Sequence, residues 1–154
     1  MNNFKKSLTH FFLVTTVALL LVQLAEAATM NFNVRGGEDV TRSLNLVADD
    51  HVLIRFTVVG QSVNILRFSL IYPNATVKEF GEVGDFSYSF VCDAEGEYAL
   101  HFSNNNSAEN KLVTLDYEVE HYVFGIPQML FLTIIIVLVC MGAIATYVLM
   151  GKTH

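Results

Sequence analysis

The chain has 154 residues, 53% of them hydrophobic, and a formal net charge of −6. Residues 28–125 carry fourteen Asp and Glu against six Lys and Arg, a net of −8. That balance repels a phosphate backbone and argues against nucleic-acid binding. It suits basic partners, divalent cations or simply a soluble acidic surface. A body of this length holds one core, not two.

The chain opens with a basic stretch containing Lys5 and Lys6. An apolar run from Phe11 to Val22 follows, broken only by Thr15 and Thr16, and then Ala25-Glu26-Ala27. This is the three-part plan of a secretory signal peptide over residues 1–27, cut between Ala27 and Ala28. The run is short for an uncleaved membrane anchor.

Period-two alternation dominates the body, predicting strands with one buried face each. Over 43–48 the face is Leu44, Leu46 and Ala48; over 51–59 it is Val52, Ile54, Phe56 and Val58. Over 64–72 it is Leu66, Phe68, Leu70 and Tyr72, opposite Val63 and Ile65. Phe86, Tyr88 and Phe90 share a face over 85–91, Tyr98, Leu100 and Phe102 over 97–103, and Val113, Leu115, Tyr117 and Val119 over 111–119. Turn chemistry separates them at 35–37, 49–50, 60–61, 73–74, 81–84, 95–96 and 104–110. About eight short strands at this spacing predict an all-β antiparallel sandwich over residues 28–120.

Residues 121–125 form a short juxtamembrane linker, which leaves the domain close to the bilayer. Residues 126–150 contain no charged side chain. At 1.5 Å per residue they give about 37 Å, enough for a tilted helix to cross a membrane. Pro127 falls where a first helical residue loses nothing by its missing N–H, and Tyr122 and Phe124 suit the outer boundary. Residues 151–154, with Lys152, form a cytoplasmic tail. The topology is therefore single-pass type I, with the body extracellular or lumenal. Gly142, Ala143, Ala145 and Thr146 make a small-residue face of a kind common in such helices.

The body offers no catalytic motif and implies no enzyme, cofactor or metal centre. Its histidines are His51, His101 and His121, and no nucleophile elbow, His-Glu-x-x-His or Cys-x-x-Cys accompanies them. Asp49 and Asp50 beside His51 read as solvated turn acids rather than a cation site. His101 falls on the face away from the core. Cys92 has no cationic neighbour in sequence and reads as a small buried hydrophobe. Cys140 lies within the membrane span and so cannot pair with it. Asn74-Ala75-Thr76 and Asn105-Asn106-Ser107 fit the N-glycosylation pattern, in predicted turns.

The aromatic stretch 86–90, the run Glu95-Gly96-Glu97-Tyr98-Ala99-Leu100-His101-Phe102-Ser103-Asn104 and the strand 111–119 together resemble the end of a GOLD (Golgi dynamics) domain. Gly96, Tyr98, Phe102 and Asn104 carry the most specific part. Upstream, residues 68–77 are similar to that family's apolar strand running into a proline turn. The resemblance implies a GOLD-like sandwich on a type I anchor, as in the transmembrane cargo receptors of the early secretory pathway, and recognition of other proteins. His101 stands where that family has its second cysteine, there is no room for a helical stem, and the tail lacks coat-binding signals. The compact form is similar to GOLD-like proteins of prokaryotes, archaea among them. The sequence thus predicts a membrane-anchored, non-catalytic module that binds secreted or membrane proteins, in recognition or trafficking of exported proteins. The rival reading is a structural envelope component packed laterally as a homo-oligomer.

Overall fold

The computed structural model describes residues 26–151. The expected signal peptide up to residue 25, and residues 152–154 of the expected tail, lie outside the described residues. Eight strands follow in chain order: β1 (Glu26–Val34), β2 (Asp39–Leu46), β3 (His51–Val59), β4 (Leu66–Ile71), β5 (Val77–Val83), β6 (Asp85–Val91), β7 (Gly96–Ser103) and β8 (Lys111–Glu120). They form two antiparallel sheets, β1-β8-β3-β6 and β2-β7-β4-β5.

The alternation read from the sequence explains why the sheets stack. Val52, Ile54, Phe56 and Val58 of β3 are all buried, as are Tyr98, Leu100 and Phe102 of β7 and Val113, Leu115 and Val119 of β8. At the centre Phe56 and Phe68 lie 4.9 Å apart, with Phe102 5.2 Å from Phe56 and 5.0 Å from Phe68. Such tilted and edge-to-face contacts add to the area that the rings bury.

Among β1 to β8, β4 and β5 form a hairpin within one sheet, and every other link arches between the two sheets. Sequential arches place the two edge pairs together: β1 with β2 on one side, β5 with β6 on the other. The links at 35–38, 60–65, 84 and 104–110 gather at one end. Those at 47–50, 72–76 and 92–95 gather at the other, where the chain leaves β8.

Two strands escaped the pattern. In β1, Met30, Phe32 and Val34 alternate with asparagines, but the strand begins inside the expected cleavage site. In β5 the register slips opposite Phe68 and Ser69. Gly81 there has φ 77°, the left-handed conformation that a glycine adopts without steric penalty. The 81–84 stretch therefore continues a strand through Val83, and only Gly84 turns the chain into β6. Ala48 falls beyond β2 and is exposed.

After β8 a small hairpin, β9 (Tyr122–Val123) and β10 (Ile126–Pro127), leads to helix α1 (Gln128–Gly151). Phe124 and Gly125 both have positive φ, 54° and 74°, as a two-residue type I′ turn requires. Pro127 ends β10 rather than opening the helix. Within α1, Gln128–Ala145 has a mean hydropathy of 2.5, apolar and long enough to cross a membrane. The sandwich through Tyr122 is one compact unit, and α1 belongs to another.

Candidate functional site

The two open sides of the sandwich differ. Between β1 and β2, Phe32 is 9% exposed and lies under the Arg42 guanidinium, 4.5 Å from its ring centroid. Between β5 and β6 the rings continue outward. Phe80, Phe86, Tyr88, Phe90 and Tyr72 are all half-buried and pack against the core. Phe80 lies 4.8 Å from Phe86 and 4.9 Å from Tyr88, and Tyr88 stacks on Phe90 at 5.6 Å. Lys78 reaches across this seam from β5. Its Nζ lies 4.5 Å from the Tyr88 ring centroid and donates to the Tyr88 hydroxyl at 2.7 Å. The Tyr72 hydroxyl, desolvated and beside Tyr88, is pushed up to about 12. It stays neutral at ordinary pH. The seam is thus a row of large, stiff rings beside β6, which is an edge strand among the described residues. Aromatic rings of this kind are enriched in protein interfaces, and free edges serve in strand addition.

At the end away from the chain's exit, the 60–65 and 104–110 links are locked together. Ser62 donates its hydroxyl and backbone N–H to Glu109, and the Gly60 N–H donates to Asn64 Oδ1 at 2.8 Å. Lys111 is 1% exposed. Its ammonium donates to the Val63 carbonyl and to Glu109 Oε2. The Ser62 hydroxyl, helped by Lys111, holds the Glu109 carboxyl down at about 2. Asn104, also buried, donates to the Val34 and Glu109 carbonyls at 3.2 and 2.7 Å. These bonds shape a cleft of about 280 Å³ lined by Ser62, Val63, Arg67, Glu82, Asn105 and Asn106, among others.

The residues singled out by sequence fall in several places. Tyr98 and Phe102 are fully buried, and the Tyr98 hydroxyl donates to the Ala94 carbonyl at 3.0 Å. Gly96 has φ 148° and packs against Pro73. With Asn104 these residues hold the fold. Ala27 and Ala28 pair with Glu118 and Tyr117 at the start of β1. Asn74 and Asn105 are both exposed. Asn74 Oδ1 accepts from the Thr76 N–H at 2.9 Å, and Asn105 Nδ2 donates to Asp39 at 3.0 Å, at the rim of the cleft. Cys92 is 1% exposed, and burial pushes its thiol up to about 11, against thiolate chemistry.

Asp50 departs from the sequence reading. It is 2% exposed rather than solvated, and it accepts from the Val47 N–H at 2.9 Å. His51 meanwhile stacks on Tyr122 at 4.0 Å. The seam too was missed: alternation placed Phe86, Tyr88 and Phe90 on one face, but not on an open edge.

No protein-family model and no curated protein matches the chain in sequence. Its fold does have solved counterparts. The Aeromonas hydrophila PliG, a periplasmic inhibitor of g-type lysozyme, superposes with a TM-score of 0.50 at 19% identity, over 64% of this chain and 93% of that one. The Salmonella Typhimurium PliG gives 0.44 at 11% identity, over 64% and 95%. The Yersinia pseudotuberculosis-derived mitogen gives 0.42 at 15%, over 65% and 91%. At 19% identity the likeness to the A. hydrophila protein is one of fold.

Proposed function

We propose that the chain is a single-pass type I membrane protein whose GOLD-like sandwich is a non-catalytic protein-binding module, acting in recognition or trafficking of exported proteins. The observation that carries this reading is the β5/β6 seam, where half-buried rings run beside a free strand edge. Rings of this kind lose little conformational freedom when covered, which favours them as binding surfaces. The apolar length of α1 supports anchoring. The A. hydrophila neighbour is by name an inhibitor of another protein, which supports protein recognition on a sandwich of this fold.

The test places a photo-crosslinking residue at Ser87 of β6 in the full chain in its native membrane. Adducts with other proteins are expected. Adducts with itself alone would favour the laterally packed envelope component, and none at all would contradict both.

A further inference from the structure

We propose that the cleft at the free end of the sandwich is a saccharide site, occupied either by the first sugars of a glycan on Asn105 or by a free uncharged saccharide. The walls of this cleft combine polar and apolar side chains held by the bonds above, while several of its polar groups are left open. Arg67 of β4 lies between Ser103 of β7 and Glu82 of β5 in cross-strand register. Glu82 is drawn aside, accepting from Asn106 Nδ2 at 3.0 Å. Among the described residues, neither the Arg67 guanidinium nor the Ser103 hydroxyl has a hydrogen-bond or ionic partner. Asn105 and Asn106 use their amide nitrogens on Asp39 and Glu82, so their oxygens remain as acceptors.

The cleft therefore presents planar donors and acceptors side by side. A polyol, each of whose hydroxyls both donates and accepts, matches such a set. A simple anion matches it less well, because Glu82 stands in register with Arg67 and the ammonium of Lys111, which also lines the cleft, is already engaged by the Val63 carbonyl and Glu109. Val63 and Ile65, 49% and 38% exposed, supply apolar surface for the C–H face of a ring. The Asn105 carboxamide nitrogen has two hydrogens. Glycosylation replaces one and leaves the other to keep the Asp39 bond, so an attached sugar starts at the rim of the cleft.

The experiment uses the full chain in detergent micelles, with side-chain NMR signals of Arg67, Asn105 and Asn106 as the readout. Protein made without glycosylation is titrated with N-acetylglucosamine, and separately with sodium acetate. A free-saccharide site gives saturable shifts with the sugar and not with acetate, and Arg67→Met weakens binding about fivefold or more. Protein made in a glycosylating host tests the other source. A sugar on Asn105 that contacts Arg67, with added sugar excluded until Asn105→Gln removes it, assigns the cleft to the chain's own glycan. Equal shifts with acetate would make it an anion site and overturn the proposal. So would the absence of sugar shifts together with an Asn105 that is unmodified or carries a glycan free of Arg67.

Discussion

The Asp50 carboxylate lies 2.7 Å from His121 Nδ1 and ties the chain leaving β8 to the turn between β2 and β3. The same carboxylate accepts the Val47 N–H, while the Asp50 carbonyl accepts the Cys92 N–H at 2.9 Å. One acid thus joins three links at the exit end of the sandwich.

Asp50→Ala leaves the Val47 N–H without its acceptor and is expected to cost about 1–3 kcal/mol. His121→Ala removes only a partly exposed partner and is expected to cost less than about 1 kcal/mol. Unfolding in urea, followed by tyrosine fluorescence because the chain has no tryptophan, compares the two. Equal losses would remove Asp50 from its role as the cap of Val47.

Tyr98→Ala is expected to cost about 3–5 kcal/mol, because a fully buried ring leaves a cavity. Glu97 points the other way from the same strand and is exposed. Glu97→Ala is expected to change stability by less than about 0.5 kcal/mol. Similar unfolding midpoints for the two variants would contradict the register of β7.

Gly96→Ala places a Cβ 2.9 Å from Pro73 Cβ at a φ of 148°. Both the contact and the backbone conformation oppose it, and a loss of about 1–3 kcal/mol is expected. An unchanged melting temperature would show that the β6–β7 link relaxes freely.

The Glu109 carboxyl sets an acid limit. Its folded pKa lies at about 2, below the ordinary 4.5. The stabilisation it gives is therefore complete above about pH 4.5 and is lost as the pH falls toward 2. In Glu109→Gln the decline of stability across that window is expected to be shallower than in the parent chain. Parallel pH profiles would contradict the assignment.

The legibility of the fold depended on how regular each strand is. The strands over 51–59 and 85–91 were read to the residue, because every second side chain in β3 and β6 faces inward. Strand β5 was hidden by its bulge, which turns both Phe80 and Val83, three residues apart, toward the core. Asp49 and Asp50 look alike in sequence; only the return of His121 and Val47 makes the second a buried cap. The seam was illegible for a different reason. Whether Phe86, Tyr88 and Phe90 lie mid-sheet or at an edge is decided by strand order, which alternation does not encode.

Backbone hydrogen exchange of the full chain, alone and with the protein recovered by the Ser87 crosslink, tests the recognition surface most directly. The expected result is slower exchange over residues 77–91, which span β5 and β6, with β1 and β2 unchanged. Protection over β1 and β2 instead, or no protection in either edge pair, would contradict the β5/β6 seam as the site of protein binding.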